Sequence, residues 1–176
     1  METRFLIELL NPSVHRREEF SCESPELTAF LKTRARKEAE ARASACFVLV
    51  PVNDRGRIAG YYTLSATSIE LARLPTELTK KLPRYPTVSA TLLGRLARDS
   101  AYRGQGLGDL LMADAFRRAC ENSTIIGSVV IVVDPKDEKA SKFYEKFGFK
   151  PLDGQRQFLP IKSAQTWLGL GNPGGK

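Results

Sequence analysis

The sequence predicts a mixed α/β domain, in which strand-like runs and amphipathic helices alternate and the helices cover a sheet. Three observations lead to it. Residues 88–98 read as a strand that runs into a glycine-rich segment and then a helical period. Residues 124–133 form a β-branched run, hence a buried strand, with helical spacing on either side. Residues 46–50 and 58–69 are strand-like and are joined by the turn Asn53-Asp54-Arg55-Gly56, which makes a hairpin.

The remaining elements follow in order. Residues 4–10 read as a first strand. Ser24-Pro25-Glu26 supplies an N-cap, a proline at the first helical position and an early acid. Leu27, Phe30, Leu31 and Ala35 then recur at helical spacing, so one helix is predicted to about Arg42. Residues 74–86 hold three prolines and read as a long loop with at most one helical turn. Leu110, Leu111, Ala115 and Ala119 mark a helix over 108–121. Asp134-Pro135 is the expected cap of a further helix, buried through Ala140, Phe143 and Phe147 and stopped by Gly148. Residues 157–161 read as a last strand. One domain is expected over 1–168, with a flexible tail at 169–176.

Composition narrows the function. A chain of 176 residues with 42% hydrophobic content can bury a real core. No stretch approaches the ~20 apolar residues of a membrane helix, and no signal-peptide pattern opens the chain. Cys22, Cys46 and Cys120 form no CxxC pair, and the lone His15 completes no metal site. Reduced thiols in a cytoplasmic protein are expected. The excess of 27 Lys+Arg over 20 Asp+Glu, +7 in all, suits a polyanionic partner, either nucleic acid or a phosphate-rich cofactor.

The segment Arg103-Gly104-Gln105-Gly106-Leu107-Gly108 lies between a predicted strand and a predicted helix. Glycines let backbone N–H groups converge on an anion, and the helix N-terminus adds partial positive charge. A pyrophosphate is the natural ligand. A Walker loop is excluded because Gly108 is followed by Asp109-Leu110 instead of Lys-Ser/Thr. A dinucleotide fingerprint needs G-x-G-x-x-G, whereas these glycines alternate as G-x-G-x-G.

These residues carry a family resemblance. Arg103-x-x-Gly106-x-Gly108 resembles motif A of the GNAT acetyltransferases, and Phe143-Tyr144-Glu145-Lys146-Phe147-Gly148-Phe149 resembles their motif B. Phe20-Ser21-Cys22, Gly60-Tyr61-Tyr62-Thr63-Leu64 and Leu93-Gly94-Arg95-Leu96-Ala97 are similar to the GNAT toxins of bacterial toxin–antitoxin pairs. Ser21 departs from that subfamily, where aspartate is common.

The resemblance implies a GNAT fold, with two central parallel strands that splay apart around acetyl-CoA. It implies that backbone groups of Leu96, Ala97 and Arg98 hold the pantetheine arm. Arg103, Gly104, Gln105, Gly106, Leu107, Gly108 and Asp109 would hold the pyrophosphate, and Ser141 would face the cofactor. Tyr144 would be the general acid toward the departing thiolate. Helical spacing selects Phe143 and Phe147 as core and leaves Tyr144 at the edge of the buried face. The implied acceptor is the α-amino group of aminoacyl-tRNA. The implied partners are a ribbon-helix-helix antitoxin, operator DNA through the antitoxin complex alone, and a second copy in a homodimer. Lys32, Arg36, Arg73, Lys80, Lys81, Arg84 and Arg95 are the candidate tRNA contacts, with Arg95 equally open to an ion pair at the core's edge. Two alternatives stand beside this one: acetylation of a small amine or protein N-terminus, and a non-catalytic acyl-CoA-binding regulator.

Overall fold

The computed structural model describes residues 2–169. In chain order the elements are β1 (Phe5–Leu9), α1 (Pro25–Thr33), α2 (Ala35–Glu40), β2 (Ala45–Pro51), β3 (Gly60–Glu70), α3 (Thr76–Thr79), β4 (Thr87–Arg98), α4 (Leu107–Ser123), β5 (Val130–Val133), α5 (Glu138–Glu145), β6 (Lys150–Asp153), β7 (Arg156–Pro160) and α6 (Ile161–Trp167). The strands form a mixed sheet in the order β1-β2-β3-β4-β5-β7-β6. The chain clusters into two compact units, one of residues 1–65 and 93–115, the other of 66–92 and 116–176. β3 and β4 each contribute to both. No helix among the described residues is long and apolar enough to cross a membrane.

In the first unit β1 and β2 are antiparallel with Leu6 opposite Val50, and β2 and β3 are antiparallel with Phe47 opposite Tyr62. Phe20, Phe30, Leu31, Val48, Val50, Ile58 and Tyr61 form its core. The Tyr61 hydroxyl enters that core because it donates to the Leu27 carbonyl at 2.6 Å. Ser24 caps α1 as predicted, accepting the Leu27 N–H at 3.3 Å. The single helix expected to Arg42 is instead two. The Thr33 hydroxyl donates back to the Ala29 carbonyl at 2.7 Å, a bond that bends helices, and Arg34 leaves helical geometry at φ −120°.

In the second unit β4 and β5 run parallel from Ala90 opposite Val130 to Leu92 opposite Val132, while β4 continues to Arg98. β5, β7 and β6 are antiparallel. Ile69, Leu74, Val88, Ala90, Val130, Val132 and Phe158 pack together as a core. The predicted loop at 74–86 contains α3 and follows a 3₁₀ turn at Leu71–Arg73.

Two expectations need correction here. The strand expected from Thr124 begins at Val130. The N–H groups of Ile125 and Ile126 instead serve the Asn122 carbonyl, at 3.0 and 2.8 Å, at the end of α4, where orphan carbonyls need donors. The cap of α5 is Asp137, which accepts the Ala140 N–H at 2.8 Å, and not Asp134. The Asp134 carboxylate is occupied by a bidentate bond from Arg156 at 2.7 and 2.9 Å. β6 and α6 have no counterpart among the predicted elements. The tail expected at 169–176 lies outside the described residues beyond Gly169.

Phe116, fully buried on α4, meets the rings of Phe147, Phe149 and Trp167 at centroid distances of 6.2, 6.0 and 5.3 Å. Phe116→Ala leaves a cavity that these rings cannot close. It is expected to cost about 3–5 kcal/mol, measured by denaturant unfolding.

Candidate active site

In the first unit, β4 ends at Arg98 and the chain turns at Asp99, whose carboxylate is 2% exposed. It accepts the N–H of Ser21 at 3.0 Å and of Ala101 at 2.8 Å, and pairs with Arg57 at 3.1 Å. Ser21 contributes its backbone to this contact, which any residue at that position offers. The guanidinium of Arg57 also lies 5.6 Å from the Tyr102 ring centroid. The turn is therefore held from three sides just before the glycines.

Gly104 and Gly106 adopt φ +78° and +69°, the left-handed region that other residues enter at a cost. A Cβ at either position would meet nothing within 4 Å, so the loop is not covered on that side. Leu107, 1% exposed, anchors the first turn of α4, and the Leu110 N–H returns to the Gly106 carbonyl at 3.3 Å. The earlier amides of this 17-residue helix have no intrahelical acceptor. A glycine loop at a helix N-terminus can serve as an anion cradle. Gln105 and Asp109 are exposed around it, and Arg103 is exposed and ion-paired to Glu23. Leu96 and Arg98 are half-buried and Ala97 is buried. The Arg98 Nε is buried with no hydrogen-bond partner among the described residues, a donor that no local pattern in the sequence marks.

In the second unit, Tyr144 stands on α5 and is 8% exposed, while Phe143 is half-buried. This reverses the expectation that Phe143 faces the core and Tyr144 its edge. The ring of Tyr144 packs against Phe149 at 5.5 Å and Phe143 at 5.4 Å. Burial pushes its phenol well above the ordinary tyrosine value. It is a neutral O–H at physiological pH, suited to donate a proton. Ser141, one turn earlier, has its hydroxyl engaged: it accepts from Gln157 Nε2 at 2.7 Å and reaches Glu145 at 3.4 Å.

The predicted tRNA contacts differ in their freedom. Arg36 pairs with Glu40 at 2.7 Å, Lys80 with Glu77 at 3.0 Å, and Arg73 with Glu70 at 3.1 Å and with Asp153. Arg95 lies 3.6 Å from the Phe30 ring centroid and 3.9 Å from Glu38, at the core's edge. Lys32, Lys81 and Arg84 are exposed. Lys32, Arg36 and Arg95 belong to the first unit, and Arg73, Lys80, Lys81 and Arg84 to the second. His15 is no candidate base: it is 3% exposed, with Nδ1 accepting the Asn11 N–H at 2.8 Å and Nε2 bonded to Glu8 at 2.9 Å. No metal-binding cluster occurs among the described residues.

A glycine loop at a helix N-terminus and a buried, protonated tyrosine are features that an enzyme taking an acyl group from a nucleotide-borne thioester can use. The model of the acetyltransferase (GNAT) domain matches residues 43–151, and the chain belongs to that family. It is 33% identical over 152 residues to a tRNA-acetylating toxin of Mycobacterium tuberculosis (strain ATCC 25618 / H37Rv), covering 85% of this chain and 89% of that one. Among solved structures it is similar to AtaT complexed with acetyl-methionyl-tRNAfMet, with TM-score 0.85, 31% identity, and coverage of 93% of this chain and 98% of that one. It is also similar to an AtaT mutant toxin bound to the C-terminus of the antitoxin AtaR and acetyl-CoA, with TM-score 0.79, 26% identity, and coverage of 94% and 99%.

Gly106→Asp tests the cradle. The new Cβ enters open space and aspartate tolerates the left-handed region, so stability is expected to fall by no more than about 1 kcal/mol. Its carboxylate opposes a pyrophosphate, so acetyl-CoA binding is expected to vanish by calorimetry. Near-normal affinity would remove the loop from the site.

Proposed function

We propose that this chain is the toxin of a toxin–antitoxin pair, transferring acetyl from acetyl-CoA to the α-amino group of aminoacyl-tRNA and so stopping translation. The observation that carries this reading is the near full-length likeness to a toxin solved with its acetylated aminoacyl-tRNA product. The whole described chain acts as one acetyltransferase domain. An antitoxin of ribbon-helix-helix type silences it, operator DNA is reached only through that complex, the toxin itself is a homodimer, and the reaction belongs to the cytoplasm.

Acetyl-CoA, when bound, supplies the thioester carbonyl that the amine attacks. Arg103, Gly104, Gln105, Gly106, Leu107, Gly108 and Asp109 hold its pyrophosphate. Backbone groups of Leu96, Ala97 and Arg98 hold its pantetheine arm. A new C–N bond forms and the C–S bond breaks. Tyr144 gives its phenolic proton to the leaving sulfur, which departs as the free thiol, and the amine releases a proton to solvent. No protein base is required. A free α-amine titrates near ~7.7–8.0, so a good fraction is already neutral at pH 7, and esterification to tRNA lowers its pKa further. A lysine amine near ~10.4 would need a base, and His15 is locked elsewhere.

The decisive test is to incubate the protein with total charged tRNA and labelled acetyl-CoA and identify the acetylated aminoacyl ends. Label on small amines or protein N-termini alone would displace tRNA as the acceptor. Expression without an antitoxin is expected to halt bacterial growth, and Tyr144→Phe to relieve the arrest. Because the phenol's pKa is raised, Tyr144 remains protonated as the acceptor amine deprotonates. The initial rate is therefore expected to rise as the acceptor amine deprotonates, to level off by about pH 8, and to show no decline from loss of the phenolic proton below about pH 10. A falling limb near pH 8 would exclude a buried phenol as the acid.

The cations of 80–84 sit outside the cofactor motifs, and Lys81 and Arg84 are exposed. Replacing Lys80, Lys81 and Arg84 together by alanine is expected to raise the KM for charged tRNA and leave acetyl-CoA affinity unchanged. It should also reduce the salt slope by roughly 0.7–0.9 for each phosphate that these cations neutralise. Steady-state kinetics at several salt concentrations reads this directly, and an unchanged slope would take the segment off the tRNA backbone.

A further inference from the structure

Tyr144 has no hydrogen bond to hold its phenol in place among the described residues: desolvation alone moves its pKa. Its hydroxyl can therefore be aimed only by the position of α5 and by the rings of Phe143 and Phe149. α5 is 8 residues long, too short to hold its own geometry without anchors. Asp137 caps its N-terminus. One turn before Tyr144, the Gln157 side chain reaches α5 from β7. Its Nε2 donates to the Ser141 hydroxyl at 2.7 Å and approaches the Ser141 carbonyl at 3.5 Å.

Gln157 is an unusual residue for its place. It is 3% exposed, its β7 neighbours Phe158 and Leu159 are apolar and buried, and its backbone lies in register with Val133 on β5. Its Oε1 is buried with no hydrogen-bond partner among the described residues. A site selected only for stability would place an apolar residue here and avoid the unmet acceptor. The amide instead ties the helix that carries the acid to a strand paired directly with β5.

We propose that Gln157 is a positioning residue for Tyr144, acting through Ser141: its buried amide sets the seat of α5 on β7 and so the aim of the phenol. This rests on Tyr144 being the acid of the proposed reaction. It also gives Ser141 a different duty from a cofactor contact, since its hydroxyl already serves the amide.

The test uses the full chain with Gln157→Leu and Ser141→Ala, each made in the wild-type and in the Tyr144→Phe background. Ser141 is only half-buried, so Ser141→Ala decides the matter even where Gln157→Leu fails to fold. Each variant is expected to lower kcat on charged tRNA about tenfold or more, as a misaimed catalytic group does. The acetyl-CoA KM is expected to stay within about twofold. Neither change should cost anything further once Tyr144 is phenylalanine, because its effect passes through the phenol. Independently of activity, the ¹³Cζ signal of Tyr144 should move in both variants while those of Tyr61 and Tyr62 stay fixed. An unmoved signal, or an equal further loss in the Tyr144→Phe background, would overturn the proposal. So would a raised acetyl-CoA KM at unchanged kcat, which would return Ser141 to the cofactor. A wild-type protein inactive on every charged tRNA would refute the acetylation reading instead, and the tyrosine signal alone would then decide for or against Gln157.

Discussion

Asp99 carries a charge out of water at the point where β4 stops, and the first unit is arranged around meeting that charge. A carboxylate 2% exposed requires partners, because an uncompensated buried charge costs several kcal/mol. It finds them in the N–H groups of Ser21 and Ala101 and in Arg57. Those three bonds draw together the segment before α1, the end of the hairpin turn and the start of the glycine loop. Arg57 extends the cluster to Tyr102, whose ring meets Phe5 on β1 at 5.8 Å. The glycines that follow have open space where a Cβ would stand. A loop fixed at its root keeps its shape, which the proposed anion site needs.

The second unit solves a different problem by the same means. An acid that must stay protonated is best kept from water and from charge, and Tyr144, the proposed acid, is buried among aromatic rings. That surrounding raises its pKa, and no hydrogen bond among the described residues fixes its direction. The direction has to be inherited from α5, which makes the contacts of that short helix part of the chemistry. An apolar nest and a precise aim are competing demands, and the uncharged Gln157–Ser141 bond is the proposed answer to the second.

The candidate tRNA-contacting cations differ in how far they are already engaged. Arg36, Lys80 and Arg73 sit in i,i+3 and i,i+4 ion pairs, and Arg95 packs over Phe30. Exposed pairs of this kind contribute little to stability, and they open at small cost when a polyanion arrives. Lys32, Lys81 and Arg84 need no such exchange. A tRNA backbone, with phosphates in series, is a ligand that can recruit both groups.

Along the chain, local signals are enough for the mixed α/β class and most of its elements, and they single out the glycine loop proposed to hold the cofactor. Alternating or β-branched runs, the Ser24 cap, the helical spacing after Gly108 and the glycines themselves are each decided by neighbours a few residues away. So is the choice of Tyr144, through its place in a motif. What local spacing cannot decide is anything set by a distant partner. Asp134 looks like a cap until Arg156 takes its carboxylate, and residues 124–126 look like a strand until the end of α4 uses their amides. Phe143 and Tyr144 are adjacent, and periodicity turns the wrong one inward, because Phe149, beyond the helix, supplies the ring that covers Tyr144. Asp99 and Gln157 carry no motif, and nothing around them in the sequence singles them out. Their importance comes from burial and from bonds to Ser21, Arg57 and Ser141, and hydrogen-bond demand in a dry interior exists only once the chain has folded.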